Sequence, residues 1–256
     1  MIDGDFFVSL ADIKIYEEIP HDKNFVTLYS DTVHYQKAIR IICNHPDTKF
    51  KLITHNGDES VINGLIPENL IAWYAQNLEF KHPKIFPLPI GLENNHWHPH
   101  KRSILKKAAH NKSLENRKIK ALSQFNPNTY TQERYNLIEM VANERVFADN
   151  YYCLNGTNFE QYVDNLMSYA FCLCPRGNGI DTHRMWEAIT LGCIPIVKRY
   201  YTHSFEEKFP IVFVDDWSEV TEDFLKKTYD KIDNALFDTP ILRKEYWKQR
   251  ILHENN

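Results

Sequence analysis

One segment of the chain, residues 171–197, combines residue types that bind phosphorylated ligands. Its sequence, FCLCPRGNGIDTHRMWEAITLGCIPIV, predicts a buried strand, a glycine-containing turn, a helix and a second buried strand. The free N–H groups of a helix N-terminus attract anions, and glycines let a phosphate approach the backbone closely. We therefore expect a phosphorylated ligand at this turn, whose candidate contacts are Arg176, Gly177, Asn178, Gly179, Asp181, Thr182, His183 and Arg184.

The helix that follows the turn carries two side chains that suit a nucleotide. Arg184 and Glu187 are three residues apart and therefore share one face of the helix. A cation near the N-terminus and a carboxylate about 5 Å further along the axis match a nucleoside diphosphate. Arg184 would pair with the pyrophosphate, while Glu187 would accept hydrogen bonds from the ribose hydroxyls. An ordinary surface Arg–Glu pair is the alternative interpretation.

The elements that must position these residues alternate between strands and helices along the chain, which indicates βαβ units and a parallel sheet. Helices are predicted over residues 131–143 and 157–170, the second with a capping box from Thr157 to Glu160. A basic, polar stretch at residues 98–118 separates two sets of units. The sequence therefore predicts an α/β fold with two halves and a cleft between them. The expected strands are residues 25–30, 50–55, 70–75, 84–88, 119–125, 171–174, 194–197 and 211–214.

The bulk composition excludes several classes of protein. A 43% hydrophobic and 25% charged composition is typical of an ordinary globular protein, and a net charge of −4 does not favour nucleic acid as a partner. No apolar run approaches the roughly 20 residues of a membrane span, and the acidic start of the chain does not suit a signal peptide. Five cysteines without disulfide-framework spacing favour a reduced protein. We therefore expect a cytoplasmic protein. The sequence does not indicate its oligomeric state.

Residues 175–197, PRGNGIDTHRMWEAITLGCIPIV, also resemble the C-terminal signature of the exostosin-like glycosyltransferases, family 47 and its bacterial and large-virus relatives. That signature has a PRG- or PEG-type loop, an (F/W)-x-E-A helix and a G-x-I-P-(I/V) strand. Residues 55–59 and 73–97 show a weaker resemblance. The resemblance implies a GT-B fold, in a compact version with C-terminal helices. Its two Rossmann-like domains would face a cleft: residues 1–105, for the acceptor and the base, and residues 106–256, for the nucleotide sugar.

The same resemblance implies the activity. A hexosyl or pentosyl group would move with inversion from a UDP-sugar to a hydroxyl of a glycan acceptor, without a metal or other cofactor. Glu187 would hold the ribose, Arg176 and Gly177 would line the base and diphosphate, and residues 181–184 would surround the phosphates. Positive charge from the arginines, His183 and the helix N-terminus would neutralise the departing diphosphate.

Inverting transfer also requires a base that deprotonates the acceptor hydroxyl. Asp58, in the turn after strand 50–55, is the first candidate, and Glu93, after Pro89-Ile90-Gly91, is the second. His55 is a weaker third. Alternatively, Asp58 only shapes an Asn-Gly-Asp turn and Glu93 only caps a helix.

Two further patterns resemble metal sites. Asp3-Gly4-Asp5 is a D-x-D sequence, but no buried strand precedes it, so we expect a frayed or surface segment. The histidines of residues 96–100, HWHPH, lack the carboxylate or cysteine partners usual for zinc, and an acceptor-contacting or plain surface loop is expected instead. Two other functions stay open: a non-catalytic GT-B-like protein that binds a glycan or nucleotide, and a sugar-phosphate epimerase.

Overall fold

The computed structural model of the protein describes residues 1–20, 22–110, 114–143, 148–150, 158–205 and 208–253. Two parallel five-stranded sheets organise these residues. In the first sheet the spatial order of the strands is the same as their order along the chain, so each connection moves to the next strand on the same side. Its strands are β1 (Ile13–Lys14), β2 (Phe25–Asp31), β3 (Lys49–His55), β4 (Leu70–Ala75) and β5 (Ile85–Pro87).

In the second sheet the order in which the chain adds strands reverses once. Its strands, in spatial order, are β10 (Val212–Val214), β9 (Ile194–Lys198), β8 (Tyr169–Leu173), β6 (Lys118–Ser123) and β7 (Ala148–Asn150). After β6 the chain first adds β7 on one side and then places β8 on the other side. The loops that leave β6 and β8 therefore diverge, and ligands of open α/β sheets bind in the crevice at such a reversal.

Helices connect the strands. Within the described residues, no helix is both long and apolar enough to span a membrane. The helices are α1 (Gly4–Val8), α2 (Tyr35–Cys43), α3 (Pro99–Ala109), α4 (Thr131–Asn143), α5 (Phe159–Ser168), α6 (His183–Thr190), α7 (Glu222–Tyr229) and α8 (Lys244–Lys248). Short helical turns lie at Tyr201–His203, Trp217–Glu219, Asn234–Asp238 and Pro240–Leu242, and a wider turn at Gln249–His253 ends the described chain.

Apolar side chains cover the first sheet on both faces. Helix α2 buries one side against it, and α1 and the C-terminal segment cover the other, where the rings of Phe7 and Trp247 are 5.9 Å apart. The C-terminal backbone also accepts hydrogen bonds from this sheet: Lys51 Nζ donates to the Ile251 carbonyl at 2.8 Å, and the Tyr74 hydroxyl donates to the Arg250 carbonyl at 2.9 Å. The last described residues thus lie against the first sheet.

The predicted α/β class with two parallel sheets is confirmed. Helix α4 has the predicted limits, and β4 matches residues 70–75. The predicted domain limit, between residues 105 and 106, falls within α3, and the division into domains stays a prediction. Thr157 lies outside the described residues; Asn158 caps α5 by accepting a hydrogen bond from the Glu160 amide at 3.0 Å.

The expectation of a frayed Asp3-Gly4-Asp5 segment is wrong. Asp3 is buried and caps α1, because its Oδ1 accepts the amide hydrogen bond of Phe6 at 2.7 Å. Its other oxygen pairs with Arg102 of α3. Helix α1 and the two-residue strand β1 are too short to produce a periodic pattern, so sequence analysis did not find them.

Candidate active site

The glycine-containing turn lies at the reversal point of the second sheet. Strand β8 is buried along its whole length, and the turn, residues 174–182, leaves its carboxyl end. Thr182 occupies the N-cap position of α6 with extended backbone but makes no side-chain capping bond, and Gly192 (φ 76°) follows the end of this helix. The turn therefore presents the N-terminus of α6 at the crevice between β6 and β8.

The carboxyl ends of both sheets meet at this turn. The Asp181 amide donates to Asn77 Oδ1 in the loop after β4 at 3.0 Å, and the Ile90 amide, after β5, donates to Asp181 Oδ2 at 2.7 Å. His183 Nδ1 lies 2.8 Å from the Gly91 carbonyl oxygen. Both sheets thus direct their loops into one cleft.

The Asp181 carboxylate connects the two halves of the described chain. Its side chain is fully buried, and it also accepts hydrogen bonds from the Thr182 amide at 2.9 Å and from Trp186 Nε1 at 3.0 Å. His203 Nε2 lies 3.5 Å from Oδ1. These contacts favour a positioning role, and a direct contact of Asp181 with a phosphate stays a prediction.

The glycines of the turn serve different purposes. A Cβ at Gly179 would lie 2.8 Å from Asn77 Nδ2, so this glycine permits close approach of the first half of the chain. A Cβ at Gly177 would meet no heavy atom closer than 3.5 Å. Arg176 donates to the Asn178 carbonyl at 2.9 Å, and the exposed Asn178 Nδ2 donates to Asp58 Oδ2 at 3.3 Å.

Arg184 and Glu187 both contact Tyr162 of α5. The Arg184 guanidinium lies 5.3 Å from the Tyr162 ring, and its Nη1 is buried with no hydrogen-bond partner among the described residues. Glu187 is 7% exposed, and its Oε2 accepts a hydrogen bond from the Tyr162 hydroxyl at 2.9 Å. No described residue donates to its Oε1. The interpretation as an ordinary surface pair is therefore wrong.

The charges of this cluster affect each other. Burial would lower the pKa of the Arg184 guanidinium, but Tyr162, the thiols of Cys172 and Cys174, and Glu187 raise it above its usual value overall. Burial, and then the Glu187 carboxylate, raise the pKa of Tyr162 well above its usual value. Arg184 is therefore a fixed cation beneath the turn, and Tyr162 is a neutral donor to Glu187.

Arg134, in the first turn of α4, is a site residue that sequence analysis missed. It is buried, donating from Nη1 to the Asn126 carbonyl at 2.7 Å and from Nε to the Arg176 carbonyl at 2.9 Å. It thereby joins the loops after β6 and β8. Burial, and then Arg184, lower its pKa to about 10. A cation in the first turn of a helix is unfavourable with respect to the helix dipole. An arginine at this position of the predicted helix 131–143 was therefore the feature of the sequence that could have indicated a special role for Arg134.

A cavity of about 460 Å³ lies beside Arg176 at the carboxyl end of the second sheet. Tyr130, Tyr200 and Trp217 contribute aromatic surface to it. The Arg176 guanidinium stacks 4.1 Å from the Tyr130 ring, and burial raises the pKa of Tyr200 to about 12. The cavity therefore offers neutral aromatic surface next to the cationic end of the turn.

The base candidates differ in their surroundings. Asp58 is exposed in the turn after β3 and contacts the donor loop through Asn178. The Glu93 carboxylate is paired with Lys101 Nζ at 2.5 Å and lies 3.4 Å from His98 Nε2.

His55 is buried. Its Nε2 donates to the Pro89 carbonyl at 3.0 Å, and burial lowers its pKa to about 4. Of the three candidates, Asp58 is thus the one that is exposed and forms no ion pair with a described residue.

Residues of the two sequence patterns that resemble metal sites, Asp3-Gly4-Asp5 and residues 96–100, form ion pairs within the protein. Asp3 pairs with Arg102, and Asp5 pairs with His96 at a distance of 2.8 Å. Across the residues that the structure describes, no cluster of three or more His, Cys, Asp or Glu could hold a metal ion.

Comparison with known proteins gives a family match and a similar curated protein. The Exostosin GT47 domain family matches residues 90–221, slightly more than half of the chain, including the whole turn and α6. A protein named "Probable glucuronosyltransferase" from Oryza sativa subsp. japonica is 30% identical over 89 residues, which cover 33% of this chain and only 20% of that protein. The match therefore spans a fifth of the relative's length. By the extent of its family match, the chain belongs to the Exostosin GT47 family of glycosyltransferases.

Proposed function

We propose that this protein transfers a sugar, with inversion, from a UDP-sugar to a hydroxyl group of a glycan. The observation that carries the proposal is that the turn before α6 meets the carboxyl edge of the first sheet, with Asp58 against Asn178. A donor held by the second half would thus lie next to a carboxylate from the first half. Such an arrangement suits single displacement, because base and leaving group act on opposite faces of the sugar.

The donor would occupy the crevice between β6 and β8. The uracil ring of the donor would enter the aromatic cavity at Tyr130 and Tyr200, where flat rings offer stacking surface. Its ribose hydroxyls would donate to the open Oε1 of Glu187. Its diphosphate would accept hydrogen bonds at the N-terminus of α6 and gain charge compensation from Arg184, whose Nη1 has no partner among the described residues.

The chemical step would then need one proton transfer. The acceptor hydroxyl replaces the Asn178 amide as the donor to Asp58 Oδ2, and its oxygen attacks the anomeric carbon. Asp58 takes the proton as the new glycosidic bond forms. The bond from the anomeric carbon to the β-phosphate oxygen breaks, and its electron pair leaves with UDP. Arginine and backbone N–H groups stabilise the charge that develops on the leaving group, so no divalent ion enters the step.

The test is UDP release from a panel of UDP-hexoses and UDP-pentoses, with and without glycan acceptors and in the presence of EDTA. We expect at least one donor to release UDP faster when acceptor is present, with the anomeric configuration inverted in the product and no loss in EDTA. If the protein binds UDP but turns over no donor, even by slow hydrolysis, the chain is a binding module. Retention of configuration or loss of activity in EDTA would each contradict the corresponding part of the mechanism.

A further inference from the structure

A second cavity, of about 200 Å³, lies outside the donor crevice where both halves meet the C-terminal segment. Its walls come from β5 and the loop before it, from the segment after β9, and from α8 and the turn that follows it. Three basic side chains, Lys81, His82 and Arg250, line it together with aromatic rings. The residues on which the inference depends are Lys81, His82, Phe86, Tyr246 and Arg250.

We propose that this cavity binds an anionic sugar residue of the glycan acceptor, one that carries a carboxylate or a sulfate. The inference rests on the proposed function, because it assumes that the acceptor is a glycan. It adds a binding site and a substrate class that the donor crevice does not define.

The charge of the cavity selects for an anion. Lys81 is exposed and makes no hydrogen bond or ion pair with any described residue. His82 Nδ1 accepts a hydrogen bond from the Lys84 amide at 3.1 Å, which leaves Nε2 as the donor nitrogen of its ring. Among the described residues that line the cavity, none is acidic, although the whole chain carries a net charge of −4. Positive charge is thus concentrated here against the overall balance.

The aromatic walls select for a ring rather than a bare ion. The Arg250 guanidinium lies 5.8 Å from the Phe86 ring and donates to the Tyr246 hydroxyl at 2.7 Å, so aromatic surface and cation stand side by side. Inorganic phosphate or sulfate would contact the cations but leave the rings uncovered. A sugar ring with an acidic substituent uses both, since its apolar face covers the aromatic side chains while its anion reaches the cations.

The position of the cavity suits an acceptor. Pro87, which ends β5, is part of its wall, and Ile90, three residues later, donates its amide to Asp181 in the cleft. Three extended residues span at most about 11 Å. On the other wall, Tyr201 begins the short turn that ends at His203, which lies 3.5 Å from Asp181. A glycan bound in the cavity could therefore extend into the cleft between the halves.

The test measures binding to the full chain by calorimetry, with methyl β-D-glucuronide, methyl β-D-glucoside and glucose 6-sulfate as probes and UDP as a separate ligand. We expect the glucuronide or the sulfate to bind at least about tenfold more tightly than the glucoside, because hydrogen bonds to charged groups are the stronger ones. Lys81→Met should remove most of this preference. Lys248→Met, on α8 outside the cavity, is the matched control and should leave it intact.

The outcomes separate the two proposals. Equal affinity for the glucuronide, the sulfate and the glucoside, or an unchanged preference in Lys81→Met, would overturn the cavity assignment while UDP binding still supports the donor crevice. If UDP does not bind but the anionic sugar does, the donor proposal fails and the cavity stands. Arg250→Lys provides a second variant, since it keeps the charge but loses the planar guanidinium; we expect an intermediate affinity for the anionic probes.

Discussion

Exchange of Glu187 for glutamine is the most direct test of the donor crevice. Oε2 of Glu187 accepts the Tyr162 hydroxyl at 2.9 Å, while no described residue donates to Oε1. If Oε1 accepts from the ribose, Glu187→Gln replaces a hydrogen bond to a charged group with a neutral one. Hydrogen bonds to charged groups contribute about 1.5–3 kcal/mol and neutral ones about 0.5–1.5 kcal/mol. The exchange should therefore cost about 1–1.5 kcal/mol and weaken UDP binding by roughly fivefold to tenfold.

The assay compares UDP with 2′-deoxy-UDP by titration calorimetry. The wild-type protein should prefer UDP, and Glu187→Gln should reduce that preference by about fivefold to tenfold, because the two ligands differ only in a hydroxyl that the carboxylate would bind. Glutamine still accepts the Tyr162 hydroxyl, so the free energy of unfolding in urea should change by no more than about 1 kcal/mol. Glu139→Gln, an exposed change on α4, serves as the control and should leave both affinities unchanged.

Two results would refute this reasoning in different ways. An equal loss of affinity for both nucleotides would mean that Glu187 acts on the diphosphate or on the shape of the crevice and not on the ribose. Unchanged affinity for both would place Glu187 outside the donor site, and the crevice between β6 and β8 would lose its main support.

Three further predictions concern the base, the backbone and pH. Asp58→Asn should lower kcat for acceptor-dependent UDP release by about a hundredfold or more, with unchanged UDP affinity. Glu93→Gln should change kcat little. If the two variants lose the same amount of activity, Asp58 is not the base. Gly91→Ala should destabilise the fold by more than about 1 kcal/mol in urea, because its φ is 69° and a Cβ would lie 2.7 Å from a backbone oxygen. Gly64→Ala, where a Cβ meets nothing within 4 Å, should stay within about 0.5 kcal/mol. Burial lowers the pKa of His55 to about 4, so the unfolded chain binds a proton that the folded chain does not. Stability should therefore fall by about 3 kcal/mol as pH drops from about 6.5 to 4, and urea unfolding of His55→Gln should lack this component.

The site joins residues that are far apart in sequence, and this explains the role of Asp181. Its carboxylate accepts from Ile90 in one half and from Trp186 and the Thr182 amide in the other. A carboxylate that accepts hydrogen bonds from both halves can hold the turn in place. The same residue that marks the motif in the sequence thus serves to connect the two halves.

The sequence by itself determined the local elements and the chemistry of the turn. Continuous apolar runs predicted the buried strands β8 and β9, since both faces of a parallel sheet are covered. The spacing of Arg184 and Glu187 follows from the helical repeat alone. These features depend only on residues that are close in sequence, and so they can be predicted without knowledge of the tertiary structure.

Only the tertiary structure decided which partners these residues meet. No spacing rule relates Arg134 to the Arg176 carbonyl, Asn77 to Asp181, or Lys81 to Arg250, because each pair is joined by packing between separate elements. The same holds for the contrast between Asp58, whose carboxylate accepts, among the described residues, only from Asn178, and Glu93, which is ion-paired with Lys101. Burial and pairing are properties of the assembled chain, and they determine which carboxylates face the cleft and which are already bound.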